Sequence, residues 1–133
     1  MKNSLLILFI LSNVLTSCQK KTCEGLLFKN GITTENGKRY SGQCVVHHTN
    51  GNLSSVKSYE NGYDHGEWKF FFPNGSLKLK GNFIYGKKDG EWTYYFENGN
   101  IWKKQFFKSG AQSGVWLTYN ENCEIINKEE IIN

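Results

Sequence analysis

Four glycines, Gly42, Gly66, Gly90 and Gly114, stand 24 residues apart without slippage. A second series, Gly51, Gly75 and Gly99, runs at the same spacing and is continued by Cys123, and a third runs through Gly62, Gly86 and Gly110. Three independent columns with one period define a repeat. A unit this short cannot bury its own apolar face, so consecutive units must stack on one another. The rungs start near residues 42, 66, 90 and 114.

The residues inside a unit read as strands. Trp68, Phe70 and Phe72 alternate with Glu67, Lys69 and Phe71, and Trp92, Tyr94 and Phe96 alternate with Glu91, Thr93 and Tyr95. This is the period of two that places side chains on opposite sheet faces. Asn50-Gly51, Asn74-Gly75 and Asn98-Gly99 are expected to turn with positive backbone angles at both central positions, and Asn30-Gly31, Asn36-Gly37 and Asn61-Gly62 add three more such dipeptides. After the turn, Leu77, Leu79 and Phe83 are expected on one face and Lys78, Lys80 and Asn82 on the other. Composition agrees: one Ala, 14 Gly, 15 Asn and 20 aromatic residues in 133 disfavour helices and exclude a helical bundle. The fold expected is all-β, an elongated single-layer antiparallel sheet of consecutive hairpins. With two strands per rung, four rungs make a ribbon about 40 Å long.

Stacked rungs align equivalent residues. Trp68, Trp92 and Trp116 form one column, Leu53, Leu77, Ile101 and Ile125 a second, and Tyr59, Phe83, Phe107 and Ile131 a third, together the expected core. A further column, Phe71, Tyr95 and Tyr119, with His47 at its start, falls on the strand face opposite the tryptophans. It is the candidate binding stripe, against the alternative that it covers the second side of a single-layer sheet.

The pattern G-E-W-x-x-Y/F-F-x-N-G-x-L/I followed by G-x-x-x-G resembles the MORN repeat, and most closely its variant class in bacterial proteins. The resemblance extends over about residues 25–133. It implies consecutive β-hairpins in an open sheet, no catalysis and no cofactor, and a role as a scaffold or contact surface, with an antitoxin-like label on many bacterial members. Cys44 stands in the tryptophan column of the first rung and Asn122-Cys123 replaces Asn-Gly in the last, so both ends are expected to be caps.

The first residues read as an address. Lys2 gives a positive start, Leu5 to Leu11 is an unbroken apolar run, and Leu15-Thr16-Ser17 precedes Cys18. This reads as a signal segment, too short to span a bilayer, which takes about 20 apolar residues, and a plain secretory peptide cut near Ser17 is the alternative to a lipoprotein leader. Leu15-Thr16-Ser17-Cys18 resembles the lipobox of bacterial lipoproteins, which implies a signal peptide over 1–17, acylation of Cys18 with palmitate-class chains, and a tether over 18–24 leading to the repeat domain over 25–133. Export would place the domain in an oxidising compartment, anchored on the periplasmic or cell-surface side of a membrane.

Cys23, Cys44 and Cys123 then remain, an odd number. Cys44 and Cys123 lie in the first and last rungs, on the order of 30 Å apart, too far to bridge. Cys23 could fold back to Cys44, with both free as the alternative.

Catalytic and metal sites find little support. His47 and His48 point to opposite strand faces, so Cys44 and His48 alone share a side, and two ligands do not make a zinc site. His65 occupies the turn position of Asp89 and Ser113, where a polar side chain bonds backbone. Glu67 and Glu91 mimic a glycosidase pair but recur because the unit recurs. Lys78, Lys80, Lys87, Lys88, Lys103 and Lys104 amid aromatics have the ingredients of single-strand recognition, yet suit a solvated sheet edge better, and no nucleic-acid partner is expected. The net charge of +4 reads as a small, evenly spread excess.

The function expected is a non-catalytic, lipid-anchored scaffold contacting an envelope protein. A glycan-binding or anionic-polymer surface and an antitoxin-like immunity protein are the alternatives, and a homodimer is left open.

Overall fold

The computed structural model describes residues 20–132, which form strands and turns and no helix. The expected signal segment over 1–17 and Cys18 lie outside the described residues. Twelve strands follow in chain order: β1 Leu26–Lys29, β2 Ile32–Glu35, β3 Lys38–Arg39, β4 Gly42–His47, β5 Leu53–Glu60, β6 Tyr63–Asp64, β7 Gly66–Phe71, β8 Leu77–Ile84, β9 Lys87–Tyr95, β10 Ile101–Lys108, β11 Ala111–Tyr119 and β12 Ile125–Ile131.

Strands β4 to β12 form one antiparallel sheet in which β4, β5 and β7 to β12 lie side by side in chain order and the short β6 pairs with the end of β5. Strands β1 to β3 form a separate three-stranded sheet, so the strands from residue 25 onward make two sheets where a single layer is expected. The small sheet is tied to the large one at its turns. Gly62 N–H donates to Tyr40 O at 2.7 Å, and Thr33 N–H to Gly62 O at 2.7 Å.

Two irregularities recur in every unit and set its geometry. The first is a one-residue bulge after the hairpin turn. His47 pairs with Leu53, Phe71 with Leu77, Tyr95 with Ile101 and Tyr119 with Ile125, and in each case the register then slips by one. The extra residues are Ser54, Lys78, Trp102 and Ile126. Strand alternation alone therefore misassigns this part of the unit. Leu77 pairs with Phe71 and Leu79 with Phe70, so the two leucines lie on opposite faces, and the Leu53, Leu77, Ile101 and Ile125 column sits beneath the Phe71 stripe rather than beside the tryptophans.

The second irregularity follows each rung-starting glycine. Gly66, Gly90 and Gly114 have φ of +84°, +73° and +65°, values that disfavour a Cβ. The register slips again here, and the tryptophan two residues on folds over the adjoining strand. Its indole N–H donates to a carbonyl in each copy: Trp68 to Ser58 O at 2.8 Å, Trp92 to Asn82 O at 3.2 Å and Trp116 to Phe106 O at 3.2 Å. The kinked glycine and the satisfied indole explain why the G-x-W spacing repeats.

The turns divide into two kinds. At Asn61-Gly62, Tyr85-Gly86 and Ser109-Gly110 both central residues have positive φ, as two-residue hairpins require. At Asn50-Gly51, Asn74-Gly75 and Asn98-Gly99 only the glycine does. These are type I turns closed by a left-handed glycine, as the Gly75 N–H to Phe72 O bond of 2.9 Å and Pro73 at the second position show. The expectation of positive angles at both residues fails there because the bulge supplies the twist that the primed turn would otherwise provide.

Candidate interaction surface

The tryptophan face carries a continuous series of ring contacts. Tyr40, Tyr59, Trp68, Phe83, Trp92, Phe107 and Trp116 follow one another at centroid distances from 4.9 to 6.3 Å, most of them edge to face. Lysines cover this spine: Lys57 over Trp68 at 5.2 Å, Lys88 over Trp92 at 4.3 Å and over Phe107 at 4.9 Å, and Lys103 over Trp116 at 5.3 Å. Their stems shield the rings from water and their ammonium groups meet the ring faces, so these lysines belong to the sheet's own packing. Burial lowers the Lys88 ammonium's pKa, in keeping with that seat.

Toward the type I turns the same face opens into a groove of about 740 Å³. Its apolar lining is Phe70, Phe72, Leu79, Tyr94, Phe96 and Trp102, with His48, Lys78 and Glu97 at its margin. Trp102 packs on Tyr94 at 6.0 Å and Phe96 at 6.4 Å, yet is 45% exposed. It stands at the bulge position, where the extra residue projects into the groove. Burial raises the Tyr94 phenol's pKa. His48 is fixed by an Nε2 contact with Phe71 O at 2.9 Å.

The sequence-derived stripe is placed differently. Phe71, Tyr95 and Tyr119 are all half-buried, each beside its cross-strand partner from the Leu77 column. Phe71 and Tyr95 also border the groove, whereas Tyr119 does not. Trp102 was not singled out by the repeat reading because it breaks the ladder. It is the one tryptophan outside the 24-residue column, and that exception was the available signal.

The other marked residues prove structural. Ser41 Oγ, His65 Nδ1 and Asp89 Oδ1 accept from the backbone N–H of Asn61, Tyr85 and Ser109, at 2.8, 3.4 and 3.1 Å. Each ties its rung to the following two-residue turn. At the opposite margin Asn52 and Asn100 side-chain amides donate to Pro73 O and Glu121 O, and Ser76 Oγ to Glu97 O. Burial pushes the Glu91 carboxyl up, but the Thr93 hydroxyl and Lys104 outweigh it and hold the group below its ordinary pKa. No cluster of three metal-ligating side chains occurs among the described residues.

Cys23 and Cys44 form a disulfide, with Cα atoms 4.9 Å apart, while Cys123 is an exposed thiol. Beside the bridge a smaller cleft of about 360 Å³ lies between the two sheets, bordered by Phe28, Tyr59, Asp64 and Trp68. Burial, followed by the neighbouring Asp64 carboxylate, pushes the Tyr59 phenol up to about 12. Because the folded-state pKa is raised, stability is fully present below pH 10 and is lost as pH rises through 12. A tyrosinate absorbance titration should show one phenol ionising near the top of this range, and Tyr59→Phe should remove that component.

The MORN repeat variant model matches the chain twice, over residues 64–85 and 88–109. The chain carries MORN repeat variants. Each matched MORN unit is one kinked-glycine strand, its type I turn and the bulged return strand, and the groove lies across the two of them. The outer rungs, with Cys44 and Cys123 in place of the usual residues, and the small sheet fall outside the matches. The MORN repeat is a non-catalytic module, and its presence over these residues supports a repeat-based interaction module. No match to the chain stands among curated proteins or solved structures.

Proposed function

We propose that this protein is a non-catalytic, lipid-anchored interaction module of a bacterial envelope that holds an extended segment of a partner protein in the aromatic groove of its two MORN repeats. The observation that carries the reading is the groove itself, where two successive aromatic pairs, Phe70 with Phe72 and Tyr94 with Phe96, are followed on the next strand by a half-exposed Trp102 that packs on the second pair. Successive rungs are about 9.6 Å apart, two strand spacings. A polyproline II segment advances about 9.3 Å every three residues. Such a segment laid across the strands would present every third side chain to an equivalent aromatic pair, and its stiffness lowers the entropy lost on binding. Anchoring rests on the Leu15-Thr16-Ser17-Cys18 motif, and the Cys23–Cys44 bridge is consistent with an oxidising compartment.

The test combines the two halves. Proline-rich peptides with apolar guest residues, titrated against the protein by tryptophan fluorescence, should bind saturably. Trp102→Ala should weaken binding roughly 30-fold, the size of a loss of about 2 kcal/mol at an aromatic hot spot, while Tyr119→Ala leaves it unchanged. Heat from envelope polysaccharides and none from any peptide would instead establish the glycan reading. Cys18→Ala should abolish fatty-acid labelling, and continued labelling would refute the anchor.

A further inference from the structure

The net charge of the chain is not evenly spread. Residues 40–133 hold ten basic and ten acidic side chains, whereas residues 20–39 hold five basic and two acidic. Apart from Lys2 in the leader, the whole positive excess therefore belongs to the segment that builds the small sheet. Part of this charge is committed: Lys21 pairs with Glu35, and Arg39 reaches Asn61 O and lies over the Tyr63 ring. Lys20, Lys29 and Lys38 are exposed and lie around the outer hairpin.

That hairpin also displays bare apolar surface. Leu27 is 66% and Phe28 71% exposed, although both sit within a strand. As strand neighbours they project to opposite faces, and β1 is the outer strand of its sheet. A plane meeting this edge would take up Leu27 and the exposed part of Phe28, whose other side borders the cleft between the sheets, while Lys29 follows on the same strand and Lys38 stands two strands back on β3. Apolar side chains rimmed by lysines are the composition of an interfacial membrane contact, with the apolar groups below the headgroups and the ammonium groups among them.

The position of the hairpin in the chain selects the same surface. Nineteen residues precede Lys20, and the chain enters the fold by pairing Lys21 to Cys23 along β4. A lipid on Cys18 would leave five residues to Cys23, a reach of about 17 Å at full extension. The anchor would thus hold β1 close enough for its insertion to become an intramolecular event. We infer that the β1–β2 hairpin docks on an anionic lipid surface, with Leu27 and Phe28 in the interface and Lys20, Lys29 and Lys38 on the headgroups. This rests on the anchored reading for its geometry, and on the charge and exposure of residues 20–39 for its chemistry.

Hydrogen exchange on the full chain reconstituted in vesicles tests it. In an equal mixture of phosphatidylcholine and phosphatidylglycerol, amides of residues 26–31 should exchange about tenfold more slowly than in phosphatidylcholine alone, while the turn at Asn98-Gly99 is unchanged. The Leu27→Ser, Phe28→Ser double variant keeps every charge, so its loss of the slowing would separate insertion from the lower pH near an anionic surface. Lys20→Gln, Lys29→Gln and Lys38→Gln together should remove the difference between the two vesicles. Equal exchange in both vesicles overturns the proposal, as does equal slowing by soluble polyphosphate without lipid, which would assign the patch to an anionic polymer. Fatty-acid labelling of Cys18, followed in the same preparation, reports on the anchor separately. An unlabelled chain refutes the anchored reading and leaves the hairpin exchange to decide docking.

Discussion

Replacing Gly81 with alanine is expected to destabilise the protein by about 3 kcal/mol, the upper part of the range for forcing extra atoms into a packed core. A Cβ built at Gly81 falls 2.2 Å from Trp92 Cδ2 and 2.4 Å from Cε2. The indole cannot retreat. Trp92 is 2% exposed, Phe83 lies 5.0 Å away on one side, and its N–H is committed to Asn82 O. Moving the ring would forfeit the edge contact and the hydrogen bond together, and the spine on both sides runs through this residue. Thermal unfolding followed by tryptophan fluorescence should show a fall of roughly 12 °C for a domain of this size. Gly75→Ala is the comparison. Its φ of +89° strains any side chain, but nothing lies within 4 Å, so the cost should be about 1 kcal/mol. If the two variants melt together, the close approach of Trp92 to the β8 backbone is wrong.

Gly81 is invisible to the 24-residue period. It has no glycine in the equivalent positions, which hold Lys57 and Gln105, so it belongs to no column and gave no signal. The columns themselves were legible because each glycine, turn asparagine and tryptophan meets the same backbone requirement every 24 residues. What periodicity could not deliver was the phase of the faces. A single extra residue at Ser54, Lys78, Trp102 and Ile126 reverses which side the following residue takes. That slip placed Leu77 on the wrong face, and it hid the groove, which is lined by the bulge residue and by side chains on either side of it. Residues 20–39 have no period at all, so their separate sheet follows from pairings that only the three-dimensional register reveals. The turn histidine was legible in kind: His65 does bond backbone, but that of the following turn instead of its own.

Reducing the Cys23–Cys44 bridge is expected to cost about 3 kcal/mol, from the conformational freedom returned to an unfolded chain whose cross-link spans 21 residues. The effect should be uneven along the chain. The closed loop contains all of β1, β2 and β3, and Cys44 is wholly buried where other rungs place a tryptophan. Strand β4 otherwise keeps the entering segment through two short bonds, Cys23 N–H to Val45 O at 2.9 Å and Val45 N–H to Lys21 O at 2.8 Å. Without the cross-link these lie at a sheet edge with little apolar cover, the setting in which local opening is easiest. Dithiothreitol should therefore speed hydrogen exchange in residues 21–39 by far more than in β9 to β11, while Cys123→Ser leaves both regions as they were. Uniform acceleration would show that the cap and the repeats unfold as one unit. A selective response would mean that the bridge serves the entry of the chain, holding residues 21–23 on β4 and so fixing where the small sheet begins.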